Sequence, residues 1–117
     1  MLSGTMLTKA FELQKYSATK ALFRAVAKGK SIILYGPSRS GKTTIVNENE
    51  SLLSNYKKTY VNIESKKDIK KLLEQQGLFI AEGICDGLRK LNLPRDDIVE
   101  IHLSVTLGKR TNELTYV

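Results

Sequence analysis

Eight consecutive residues, Gly36-Pro37-Ser38-Arg39-Ser40-Gly41-Lys42-Thr43, satisfy the pattern G-x-x-x-x-G-K-[ST] at every fixed position. Each fixed position has a physical task. Gly36 lets the chain leave a strand in a tight turn, and Gly41 lets the backbone pass where a side chain would collide with phosphate oxygens. Backbone N–H groups of such a loop point inward as a nest for anionic oxygen. The dipole of the helix that follows adds to the attraction. Lys42 is expected to reach the β- and γ-phosphates, and the Thr43 hydroxyl to ligate magnesium. Ser40 and Thr44 offer further hydroxyls, while Arg39 projects from the loop toward solvent, where it can also touch the nucleotide or a partner. The pattern predicts a site for a nucleoside triphosphate, ATP with Mg2+, over residues 36–44.

Hydrolysis asks for a second element, an acidic residue at the end of another apolar strand that holds the metal directly or through water. No run of four apolar residues followed by Asp occurs in the chain. Leu78-Phe79-Ile80-Ala81-Glu82 is the nearest approach, and Glu64, after Thr59–Ile63, is the next. Asp96 and Asp97 follow Pro94 and suit a turn. The expectation is nucleotide binding with weak or absent autonomous hydrolysis. A complete ATPase using Glu82 or Glu64 as its metal-side carboxylate is the alternative.

The elements around the loop fit its needs. Lys9–Lys28 has helical spacing, and Gly29 is placed to end that helix. Ser31–Tyr35 reads SIILY, an apolar run suited to a strand buried on both faces. Lys42–Leu53 suits a helix, and Thr59–Ile63 a second strand. Ser65-Lys66-Lys67-Asp68 resembles a capping box. From Ile69 to Leu91 apolar residues recur at helical intervals. They predict one long helix ending before Pro94 and interrupted near Gly77, with Leu78–Ala81 as a third strand in the rival reading. Alternation from Val99 to Leu107 predicts a strand with one wet face, antiparallel or at an edge. Glu113–Val117 suits the return strand of a hairpin. The fold class expected is α/β, a truncated P-loop NTPase-like βαβ core with an additional C-terminal strand or hairpin. One domain spans residues 1–117, with residues 1–8 disordered.

The formal net charge of +7 favours anionic partners. Its densest cluster is Lys66, Lys67, Lys70 and Lys71. A small basic nucleic-acid-binding or regulatory module that keeps the loop as a relic is therefore a further reading. Aromatic residues, at 7%, lack the interleaving of a stacking platform. Cys85 is the only cysteine and His102 the only histidine. The first reads as a buried apolar residue in a reducing compartment, the second as a surface strand residue. No apolar run is long enough to span a bilayer, and a cytoplasmic location is expected.

The run Gly29–Thr43 resembles the opening of the archaeal-type P-loop ATPases, within the AAA-like signal-transduction ATPase group. The resemblance covers about residues 11–93, through the helix bearing Phe11, the strand at Thr59–Glu64 and the helix from Lys66. It implies ATP and magnesium as ligands. It also implies a Walker B strand, sensor residues and a further domain downstream, so that this chain corresponds to the N-terminal portion. In that family the first and second strands are not neighbours. The gap between them is expected to close by direct pairing, by the tail strand, or by another chain or copy that completes the sheet.

Overall fold

The computed structural model describes residues 4–85 and 91–106, with the backbone alone for residues 4–7. Its elements are α1 (Gly4–Ala27), β1 (Ser31–Gly36), α2 (Lys42–Glu48), β2 (Lys57–Asn62), α3 (Lys66–Glu74), β3 (Phe79–Ile84) and β4 (Ile98–His102). The fold is α/β. Four strands form one parallel sheet in the order β2-β3-β1-β4. β1, apolar along its whole middle, has a hydrogen-bonded neighbour on each side and is buried at all six positions.

Two layers cover the sheet. On one face Ile32, Leu34, Ile80 and Ile101 pack with Leu22 of α1 and Ile45 of α2. On the other, Ile33, Tyr35, Phe79 and Ala81 pack with Leu72 of α3. The alternation along β1 thus serves two cores, which is why its sequence shows no period.

Several expectations change. α3 stops at Glu74, and the segment expected to continue it forms β3. Gln75 leaves the helix in extended conformation, and Gly77 turns the chain at φ 79°, a left-handed value that favours glycine. Phe79, Ile80 and Ala81 are then buried on both sheet faces. β3 closes the gap between β1 and β2 within the chain. Neither the tail strand, nor direct pairing, nor a second copy is needed there. The tail strand instead flanks β1 on its other side, as an edge strand and in parallel.

Smaller changes are local. α2 ends at Glu48 rather than Leu53, where the Asn49 side-chain amide donates back to the Ile45 carbonyl at 2.7 Å. α1 begins at Gly4 and so takes in positions 4–8 of the start expected to be disordered. It ends where expected, with Gly29 at φ 66° and Lys30 N–H donating to Ala25 O. Ser65 caps α3, accepting from Asp68 N–H at 3.2 Å. The expected return strand Glu113–Val117 lies outside the described residues, as do positions 86–90 of the expected long helix.

Candidate functional site

The loop at 37–41 leaves the carboxyl end of β1 and enters α2 directly. Two left-handed residues give it its curl, Arg39 at φ 67° and Gly41 at φ 95°. For Arg39 that conformation costs about 1–2 kcal/mol, so the surroundings must hold it. They do so around the Lys42 ammonium. Lys42 Nζ donates to Gly36 O at 3.0 Å, Pro37 O at 2.6 Å and Ser40 Oγ at 3.1 Å. Ser40 Oγ in turn donates to Pro37 O at 2.7 Å. Lys42 is 8% exposed, while Ser38, Arg39, Thr43 and Thr44 stand at the surface.

Gly36 has a different reason from the one expected. It ends β1 with the strand, and its constraint is a close approach: a Cβ there would lie 2.3 Å from the backbone oxygen of Leu103. Gly41 is needed for its positive φ, and Phe11 of α1 closes over it, 3.2 Å from where a Cβ would sit.

Of the two candidate carboxylates, only Glu82 reaches the loop. β3 lies next to β1, with Glu82 opposite Leu34. Its Oε1 accepts from Thr43 Oγ1 at 2.9 Å, and the residue is 9% exposed. Glu64 follows β2, which is separated from β1 by β3. Two strand spacings, about 10 Å, separate β2 from β1, and Glu64 does not line the cleft at the loop. Glu64 lines a neighbouring cleft instead. The cleft at the loop, about 340 Å3, is bounded by Arg39, Lys42, Thr43, Thr44, Tyr60 and Glu82, with Ser38, Gly41 and Ile84 completing its wall.

One contributor carries no signal in the sequence. Gln14 of α1 accepts at Oε1 from the N–H groups of Ser104 and Val105, at 2.7 and 2.8 Å. Its Nε2 donates to Val105 O at 2.8 Å and to Ser40 O at 3.3 Å. The side-chain amide thus pairs with the segment after β4 as a neighbouring strand would, and ties it to the loop. A glutamine among the polar positions of a helix looks like any other. Gln14→Ala is expected to lower stability by about 0.5–1.5 kcal/mol, read in urea unfolding, because the segment after β4 loses its hydrogen bonds to α1 while its N–H groups can turn to water.

The remaining singled-out residues fall elsewhere. His102 is half-buried on the opposite face of the sheet, stacked on Tyr35 with ring centroids 4.7 Å apart. Burial, with Glu100 next to it, pushes the Tyr35 hydroxyl up to about 12. That hydroxyl donates to Glu100 Oε1 at 3.2 Å, and the Glu100 carboxylate also accepts from the N–H groups of Leu91 and Leu93. The group anchors the loop before β4. Cys85 is buried as expected. Lys66, Lys67, Lys70 and Lys71 are exposed along α3, and none lines the cleft at the loop. Among the described residues no helix is long and apolar enough to cross a membrane.

No protein-family model, no curated protein and no solved structure matches the chain. The site is therefore read from its own chemistry.

Magnesium fits the donors present. Two oxygens that sit side by side on an octahedron with metal–oxygen bonds of about 2.05 Å are about 2.9 Å apart. Thr43 Oγ1 and Glu82 Oε1 are 2.9 Å apart as hydrogen-bond partners, and the two oxygens could meet one magnesium ion at the same separation. No cluster of three or more His, Cys, Asp or Glu residues suited to a metal occurs among the described residues. A hydroxyl with one carboxylate matches how magnesium is commonly held, by one or two carboxylates plus substrate phosphates and water.

Proposed function

We propose that the chain binds a magnesium nucleoside triphosphate, ATP by its resemblance to the archaeal-type ATPases, in the cleft formed by the loop at 36–44. Supporting this most directly is the contact between Thr43 and Glu82 at 2.9 Å. The loop pattern accounts for Gly36, Gly41, Lys42 and Thr43 but makes no demand on residue 82. A carboxylate brought from another strand to the Thr43 hydroxyl is the half that the pattern lacks.

The roles follow from the chemistry of each group. Lys42 supplies the positive charge for the β- and γ-phosphates and would exchange loop carbonyls for phosphate oxygens, which are stronger acceptors. The loop amides, with the Thr44 hydroxyl, hold phosphate oxygens, whereas the Ser40 hydroxyl, expected from the sequence to join them, is buried and donates to Pro37 O. Thr43 and Glu82 are the residues that would hold magnesium, whose charge offsets that of the phosphates. Glu82 thereby takes the metal-side role that a hydrolase or a transferase of this type requires. The P-loop fold itself is part of this proposal; the parallel order β2-β3-β1-β4 is compatible with it.

The test is a thermal-shift series with Mg-ATP, Mg-GTP and ATP in EDTA. Ligand at about 100 times its dissociation constant adds about 2.7 kcal/mol, a rise of roughly 10–15 °C for a domain of this size. A flat series with both Mg-nucleotides sinks the reading.

A further inference from the structure

Glu82 stands at a junction between two clefts. Besides the cleft at the loop, a second of about 590 Å3 opens against the carboxyl ends of β2 and β3. The two share Tyr60, Glu82 and Ile84 in their walls. In open parallel sheets, ligands bind in the crevice outside the carboxyl ends of the strands, and this volume lies within the usual range for small molecules, roughly 300–1,000 Å3.

The second cleft has its own chemistry. Two large apolar side chains stand exposed on the shared rim, Tyr60 at 78% and Ile84 at 56%. Their solvent-facing carbon suits the skeleton of a ligand. The chain holds 19 Lys and Arg against 12 Asp and Glu, yet the charged side chains that line this cleft among the described residues are Glu64, Asp68 and Glu82. Asn62 completes the polar wall, with its N–H donating to Asp68 Oδ2 at 3.0 Å. A phosphorylated ligand would meet the repulsion of these three carboxylates. A hydroxyl or amine would meet acceptors.

We propose that this second cleft binds a phosphoryl acceptor: a small hydroxyl compound, neutral or amine-bearing, with no phosphate of its own. The proposal rests on the nucleotide reading above. The acceptor oxygen forms a bond to the γ-phosphorus as the bond from that phosphorus to the β,γ-bridging oxygen breaks. ADP leaves with the electron pair, and the hydroxyl proton passes to water at the open mouth of the cleft. A loose transition state makes little demand for a strong base, so positioning beside Glu82 is the chief requirement.

The experiment uses the whole chain with γ-labelled Mg-ATP and one acceptor at a time. Uridine, inositol and ethanolamine represent the expected class; AMP and glycerol 3-phosphate represent the excluded one. Mg-ATP binding is followed separately by calorimetry. Label is expected on at least one unphosphorylated compound and on neither phosphorylated one. Glu64→Lys, at an exposed position, should raise the KM of that acceptor at least tenfold while the Mg-ATP Kd stays within twofold. Label passing only to water, or only to the phosphorylated compounds, overturns the proposal with nucleotide binding intact. So does transfer that is indifferent to Glu64→Lys. Absence of any calorimetric signal with Mg-ATP removes the nucleotide reading, and the acceptor with it.

Discussion

Mg-ATP is expected to bind Lys42→Ala at least a hundredfold more weakly than the wild-type chain. A hundredfold is about 2.7 kcal/mol. Truncating one partner of a hydrogen-bonded charge pair costs about 2–5 kcal/mol, so the loss lies at the lower end of that range. The ammonium is well placed to exert it. It is 8% exposed and held at three points within the loop, so little side-chain entropy remains to be lost when a phosphate replaces a carbonyl. The same contacts complicate the variant, because Gly36 O and Pro37 O lose a donor along with the charge. Lys42→Met separates the two effects in part by keeping the aliphatic stem. Urea unfolding of each variant, with calorimetry alongside, gives the needed comparison. Wild-type affinity in both variants, with stability lowered, would mean that the ammonium serves only to hold the loop closed.

The loop was legible because its signals are local. A glycine that admits φ 95° and a lysine and threonine next to it fall within three residues, after a run that is apolar at Ile32, Ile33 and Leu34. The α3 cap was legible for the same reason, since Ser65 and Asp68 meet within one turn. β3 was hidden by the burial that stabilises it. Phe79, Ile80 and Ala81 face two cores, so no alternation marks them, and Leu72, Leu73 and Ile80 happen to lie at helical spacing. Only the left-handed turn at Gly77 separates the two readings, and a glycine in a sequence does not declare its φ. With residues 78–82 read as helix, the sequence ranks Glu82 above Glu64 by the apolar run before it alone, because nearness to the loop depends on which strand adjoins β1. The edge strand β4 alternates as a half-wet strand should, but pattern alone did not give its parallel direction, which its pairing with β1 decides. Gln14 acts across 91 residues at Val105, a distance at which no spacing rule operates.

Glu82→Gln should separate metal binding from fold. The amide has nearly the volume of the carboxyl and still presents an oxygen to the Thr43 hydroxyl, so the 2.9 Å hydrogen bond survives. Removing a charge from a residue that is 9% exposed costs little stability and can add some. What disappears is the negative charge that a magnesium ion would meet beside Thr43. The ratio of ATP affinity with and without magnesium is expected to fall about 10–100-fold toward unity, judged by calorimetry in magnesium and in EDTA. Any phosphoryl transfer or hydrolysis should fall by about 100–1,000-fold, the scale for losing one charge-stabilising group at a reacting phosphate. Glu64→Gln, beyond the intervening strand, should leave the magnesium ratio unchanged. Thr43→Val tests the other donor: it keeps the side-chain shape, removes the hydroxyl, and should reproduce the loss of magnesium dependence. If Glu82→Gln binds Mg-ATP and ATP in the wild-type ratio, the carboxylate is only the structural partner of Thr43. The metal site, together with the role of β3 in phosphoryl chemistry, would then have to be abandoned.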